Sequence, residues 1–159
     1  MSKIVTGKSD NAEKEYAPHQ AWGGTYLVVA DETEEFEVAL HYAAQMANAN
    51  KCRIGIFYSY QNSDFHHWGD IEARMRKEQR ELAEQTIAKA CFMLEEKHKN
   101  QTCLYIEEGG RVEKLTEVIE NDKSITMLIL CGGTQGSGPG PLVSHFTGKG
   151  LAAIRVPVL

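Results

Sequence analysis

The sequence predicts an α/β fold in which one parallel sheet is covered by helices on both faces, and three observations carry that prediction. Apolar runs without polar alternation recur at Tyr26–Ala30, Ile54–Tyr58, Leu104–Ile106 and 126–131, as suits strands buried on both sides. Stretches with apolar residues at helical spacing separate these runs, and such regular alternation implies right-handed crossovers in one sheet. The last strong run, Met127-Leu128-Ile129-Leu130-Cys131, empties into a glycine-rich loop and then a helix start at Pro141.

Residues 1–24 mix Ser, Asn, Lys, Glu and Gly without an apolar period and are expected to form a flexible arm. The fold is expected over 25–159 as a single domain, since 159 residues with 42% hydrophobic content can bury one core of good size. After the first strand, Thr33 offers an N-cap, and Phe36, Leu40, Ala43 and Ala47 mark a helix to about Asn48. A loop over 59–70 follows the second strand and leads into a long helix, whose buried stripe is expected at Leu82, Ile87, Ala90, Cys91 and Leu94. Gly109-Gly110 turns the chain after the third strand, and Val112, Leu115 and Ile119 give a third helix one apolar side. The fourth strand, the glycine loop, a short helix from Pro141 and a last extended segment Ile154–Leu159 complete the order.

Composition excludes several classes of function. A formal charge of −5 and a pI near 5.7, with 17 scattered basic residues, argue against a nucleic-acid partner, which demands clustered Lys and Arg. No run approaches the roughly 18 apolar residues of a spanning helix, and no apolar signal segment opens the chain, so no membrane partner and a cytoplasmic location are expected. Cys52, Cys91, Cys103 and Cys131 lie far apart outside any CxxC pair and read as reduced core thiols, and no metal site is expected.

Chemistry concentrates at the carboxyl ends of the first and fourth strands. A buried strand that empties into glycines and then a helix leaves unpaired backbone N–H groups, and the positive end of a helix dipole, around a space that suits a phosphate. The loop Gly132-Gly133-Thr134-Gln135-Gly136-Ser137-Gly138-Pro139-Gly140 lacks the Gly-Lys-Ser/Thr ending of a P-loop and the dinucleotide fingerprint, so phosphate binding and a plain surface turn stand side by side. Ser144 either donates to a phosphate oxygen or satisfies backbone near the helix start. Asp31 closes the first strand at the mouth of the crevice, where a carboxylate accepts from a ribose or base, holds magnesium, or caps a turn. The aromatic and histidine-rich segment 64–70 reads as a loop with Trp68 as a lid or a packing anchor for the long helix that follows, and no Ser/His/Asp or Cys/His set assembles, so catalysis is not indicated.

These residues resemble the bacterial universal stress proteins. The likeness runs over about 25–159, and its marks are Leu27-Val28-Val29-Ala30-Asp31-Glu32-Thr33-Glu34-Glu35 and the ending from Leu128-Ile129-Leu130-Cys131-Gly132-Gly133 to Val156-Pro157-Val158. The segments 64–68 and 138–144 look like one bacterial subgroup in particular. The resemblance implies a Rossmann-like, open five-stranded parallel sheet in strand order 3-2-1-4-5. It also implies a homodimer pairing Ile154–Leu159 across a two-fold axis, a regulatory role with a further protein partner, and ATP or another adenine nucleotide as ligand, with or without magnesium. Ala30 and Asp31 would then lie near the adenosine and Phe57 or Tyr58 near the adenine, with Gly132, Gly133, Gly136, Gly138, Gly140, Val143 and Ser144 around the phosphates. ATP-binding members show G-x-x-G, nine residues, then Gly and Ser/Thr. Gly133-Thr134-Gln135-Gly136 fits the first half, but strict counting lands on Phe146-Thr147, while a shortened loop places Val143 at the glycine position and Ser144 in the hydroxyl role. Any hydrolysis would be slow. The alternatives are an interaction protein that holds no nucleotide, its phosphate space filled by Val143 and Phe146, and a nucleotide hydrolase or transferase on the same fold.

Overall fold

The computed structural model describes residues 3–6, 23–30, 34–60, 69–132 and 140–159. Five strands pair in parallel: β1 (Lys3–Thr6), β2 (Thr25–Val29), β3 (Arg53–Tyr60), β4 (Thr102–Glu108) and β5 (Ile125–Ile129), in the order β1-β4-β3-β2-β5. Helices α1 (Glu34–Asn50), α2 (Gly69–Met93), α3 (Arg111–Asn121) and α4 (Pro141–Phe146) connect or follow them, with a π turn at Leu94–His98 and a 3-10 turn at Lys149–Ala153.

The four strands read from the apolar runs are β2, β3, β4 and β5, and they take the expected order 3-2-1-4. The expected fifth strand does not form as one. Ile154–Leu159 meets β5 through a single bridge, Leu128 to Val158, held by Leu128 N–H to Pro157 O at 2.9 Å, Leu159 N–H to Leu128 O at 2.9 Å and Leu130 N–H to Leu159 O at 3.0 Å. Pro157 has no N–H to extend that ladder, and the Arg155 side chain is drawn to carbonyls elsewhere. At the opposite edge, β1 pairs with β4 from Lys3↔Cys103 to Thr6↔Ile106, a strand inside the 1–24 span that the sequence reading lacks.

Continuous burial along β2 and over Ile54–Ser59 of β3 confirms that both faces of the sheet are covered. On one face Tyr26, Val28, Ala30, Ile54, Ile56, Tyr58 and Leu104 pack with Phe36, Leu40, Ala43, Ala44 and Ala47 of α1 and with α2. The alternate residues Leu27, Val29, Phe57, Tyr105 and Leu128 pack on the other face with Leu115, Val118 and Ile119 of α3 and with Phe146, Ile154 and Val156. Gly55 sits where the sheet is tightest: a Cβ there would come within 2.9 Å of Leu27 Cδ1 and 3.0 Å of Tyr105 Cε2.

The stripe of α2 differs from expectation by one residue. Ala83, Ile87, Ala90 and Leu94 are buried, while Leu82 is 43% exposed. The spacing explains it, because 83, 87, 90 and 94 follow a 3.6 period and 82 lies five residues before 87, off that line. Strands β3 and β4 also run longer than the apolar runs suggest, to Tyr60 and Glu108, because sheet pairing continues through polar residues, Ser59↔Glu107 and Tyr60↔Glu108. Conversely, β5 stops at Ile129, and Leu130 and Cys131 lie beyond it, with Leu130 N–H still bonded to Leu159 O.

Candidate functional site

Strand order reverses between β2 and β5, so the crevice of this sheet lies beyond their carboxyl ends. Val28 pairs with Ile129, which brings Ala30 and the segment Leu130-Cys131-Gly132 to the same edge. Ala30 is fully buried and its N–H donates to Phe57 O at 2.7 Å, tying the end of β2 to β3. Cys131 is half-buried and Gly132 exposed. Asp31, Gly133, Gly136 and Gly138 lie outside the described residues, as does the 61–68 part of the aromatic loop with His66, His67 and Trp68.

From the far side of the glycine loop, α4 starts at an unusual backbone conformation. Gly140 is its N-cap with φ 89° and ψ 161°, a region open to glycine, and a Cβ there would meet nothing within 4 Å. Glycine is therefore needed for the dihedral angle and not for want of space. Pro141 at the first helical position has its φ already set for a helix. Ser144 N–H closes the first turn on Gly140 O at 3.0 Å.

The face α4 buries is settled by one residue. Phe146 is fully buried with Leu27, Phe57 and Leu128, whereas Ser144 is exposed and Val143 half-buried. Counting strictly from Gly133 places Phe146 where a phosphate-binding glycine would stand, but this side chain is taken up by the core. Val143 O instead accepts from the N–H and hydroxyl of Thr147, at 2.9 and 2.7 Å, which locks the end of the helix. The ring of His145 packs edge-on against Phe146, with centroids 4.9 Å apart, and covers Gly150.

Phe57 and Tyr58, expected near a base, are both buried on opposite faces of the sheet, Phe57 completely and Tyr58 at 7% exposure. Because β3 continues to Tyr60, the residues at its carboxyl edge are Ser59 and Tyr60. The Ser59 hydroxyl is buried and has no hydrogen-bond partner among the described residues, which leaves an unmet polar group near the carboxyl end of β3. Sequence reading missed it because the apolar run seemed to end at Tyr58. The alternation Tyr58-Ser59-Tyr60 was the available signal.

No disulfide joins Cys52, Cys91, Cys103 and Cys131, and burial, helped by the Glu95 carboxylate, pushes the Cys91 thiol up to about 11, away from the thiolate a nucleophile needs. Among the described residues, no three His, Cys, Asp or Glu side chains gather as a metal cluster, and no helix is long and apolar enough to cross a membrane. Together, the described part of this edge offers a glycine-capped helix start and a spare hydroxyl, a set suited to a polar ligand.

No family model and no curated protein matches the chain. Solved structures do. The universal stress protein UspA from Lactobacillus plantarum is 12% identical with a TM-score of 0.73, over 87% of this chain and 97% of that one. A protein from the universal stress protein family of Burkholderia pseudomallei is 16% identical with a TM-score of 0.58, over 89% and 97%. A universal stress protein in complex with cAMP is 16% identical with a TM-score of 0.59, over 87% and 95%. At these identities the likeness shows a shared fold.

Proposed function

We propose that this chain, whose fold is that of the universal stress proteins, is a stress-response regulator of that family that binds ATP or another adenine nucleotide beyond the carboxyl ends of β2 and β5. The observation that carries the reading is the glycine-capped start of α4 at the edge where strand order reverses. A similar fold solved with cAMP supports the adenine class. The Ser59 hydroxyl, unpartnered among the described residues, fits a ligand that brings hydrogen-bonding atoms to the carboxyl end of β3.

In this reading Gly132 and Gly140, with Gly133, Gly136 and Gly138, offer backbone to the phosphates, and Ser144 adds a hydroxyl beside Val143. Asp31 and Ala30 lie toward the adenosine, and the base lies over the β3 edge, where Ser59 and Tyr60 supersede Phe57 and Tyr58. Magnesium, when bound, would neutralise phosphate charge, with Asp31 as the carboxylate to hold it. The role is regulatory and not enzymatic, the protein is cytoplasmic, and it acts as a homodimer through Ile154–Leu159 with a further protein as its target.

The test is to denature freshly purified protein and identify any released nucleotide by mass spectrometry. Calorimetric titration with ATP, AMP and cAMP, with and without magnesium, then follows. Saturable binding of at least one adenine nucleotide, weakened about tenfold or more by Gly140→Val, is expected. Neither co-purified nor titratable nucleotide would overturn the reading in favour of an interaction protein. Steady turnover of ATP that Asp31→Ala abolishes would instead make the chain a hydrolase. Light scattering on the intact chain tests the dimer, which Val158→Glu is expected to dissociate.

A further inference from the structure

A second site lies on the outer side of the α1/α2 layer, where two imidazoles from different elements face each other. His41 is on α1 and His98 ends the π turn that follows α2, and His98 Nε2 stands 2.8 Å from His41 Nδ1. Their ring centroids are 4.5 Å apart and the planes are inclined by 66°.

Those two distances do not describe rings aligned head to head. Imidazoles sharing one straight N–H···N bond of this length would have centroids about 5.1 Å apart, since each nitrogen lies about 1.15 Å from its ring centre. Rings leaning to the same side, toward a common point, have closer centres. A metal at about 2.0 Å from two nitrogens at a right angle gives an N···N distance of about 2.8 Å and a centroid separation of about 4.5 Å. A tetrahedral angle would spread the nitrogens to about 3.3 Å. The observed N···N and centroid distances are those of the right-angled case, and the same closeness serves the bent N–H···N hydrogen bond the two rings share in the absence of an ion.

The pair is also held in place from behind. Asn48 Nδ2 donates to the His98 carbonyl at 2.9 Å, and Asn100 Nδ2 donates to Asn48 Oδ1 at 2.7 Å and to the Ala44 carbonyl at 3.3 Å. On the other ring, Gln45 Nε2 lies 3.1 Å from His41 Nε2. As placed, its NH2 donates to that nitrogen; turned over, its oxygen accepts from the Nε2–H of the His41 tautomer whose Nδ1 is free to bind a metal. His41 is exposed and His98 half-buried, which leaves one side of the pair open for water to complete the coordination.

We propose that His41 and His98 form a two-imidazole chelate for a divalent transition ion that favours square-planar coordination, copper(II) or nickel(II), through His41 Nδ1 and His98 Nε2 in adjacent positions. Each imidazole stays neutral with one N–H, on His41 Nε2 and His98 Nδ1, so the proton the two rings share relocates within the pair and none need leave. The ion links α1 to the end of α2 on the side of the sheet opposite α3 and α4. This site is independent of the nucleotide crevice.

The full chain is titrated with copper(II) and separately with nickel(II) by calorimetry, and the copper form is read by electron paramagnetic resonance. The chain has six histidines, so binding by His19, His66, His67, His145 and the terminal amine is measured in the double variant His41→Ala/His98→Ala. The expected result is one ion with two coordinated imidazoles in the native chain. Affinity should be at least tenfold weaker, with a one-imidazole or background spectrum, in His41→Ala and in His98→Ala. His98→Gln serves as a second variant, since its amide nitrogen reaches about where His98 Nε2 stands and can still donate to His41 Nδ1, and it should lose the ion without a change in melting temperature. Equal affinity within twofold and an unchanged spectrum in both alanine variants would overturn the proposal, as would binding in the native chain no tighter than in the double variant.

Discussion

At the scale of single residues, the amino end of the sheet shows how a few polar side chains pin the turn from α3 into β5. The Tyr105 hydroxyl donates to Asp122 Oδ2 at 2.6 Å in a buried setting, and Asp122 Oδ1 accepts from the Ser124 N–H at 2.9 Å. A carboxylate held this way is expensive to strip of a donor. Tyr105→Phe is therefore expected to lower unfolding free energy by about 1–3 kcal/mol, read from chemical denaturation. Burial first, then the neighbouring Cys103 and Asp122, raises the Tyr105 hydroxyl far above its usual range. A raised folded value means the native state keeps a proton that the unfolded chain releases near pH 10. This contribution is thus complete below pH 10 and lost as pH climbs above it. Stability measured between pH 9 and 11 should fall more steeply for the native chain than for Tyr105→Phe.

Elements obey register more strictly than composition. Within α2 the leucine at 82 looks the better core residue, yet Ala83 is the one against the sheet, completely buried, because helical spacing from Ile87 and Ala90 selects it. Leu82→Ala is expected to change stability by less than about 0.5 kcal/mol, as for an exposed substitution. Ala83→Leu forces extra volume into a packed layer and should cost about 1–3 kcal/mol, and thermal melts of the two variants check the assignment. The start of α4 was readable from Gly140-Pro141, since glycine supplies the left-handed dihedral and proline the helical one. Its orientation was not readable, because a six-residue helix is too short for its own periodicity to say which side is inside. Phe146 decides that through contacts with Leu27, Phe57 and Leu128, which come from distant parts of the chain.

At the scale of the whole molecule, one side chain adds to the backbone bonds and core packing that hold the C-terminal segment. Arg155 donates to three backbone carbonyls, Ile119 at 2.7 Å, Asp122 at 2.6 Å and Ile125 at 2.9 Å, and so fastens the tail to the end of α3 and the start of β5. These carbonyls include two at the helix end that lack partners within the helix, and a positive charge suits that end of the dipole. Lysine cannot span all three, because it lacks the planar fork. Arg155→Lys is expected to cost about 1–3 kcal/mol and to loosen Pro157, Val158 and Leu159 from β5, seen as faster amide exchange at Leu128, Leu130 and Leu159. If the homodimer uses this edge, the same variant weakens it.

The sequence by itself determined the alternation of strands and helices and the burial of both faces of the sheet, while the strand order came from the resemblance. The first two follow from local spacing, since unbroken apolar runs and 3.6-residue periods leave few ways to bury their surfaces. Only the tertiary structure decided that Lys3–Thr6 joins the sheet, that Ile154–Leu159 meets it through one bridge, and that Ser59 brings a hydroxyl, unpartnered among the described residues, near the carboxyl end of β3. It alone brought His41 against His98, 57 positions apart. Pairing at an edge, unmet hydrogen bonds and side chains from distant elements depend on what lies across space, which local propensity does not encode.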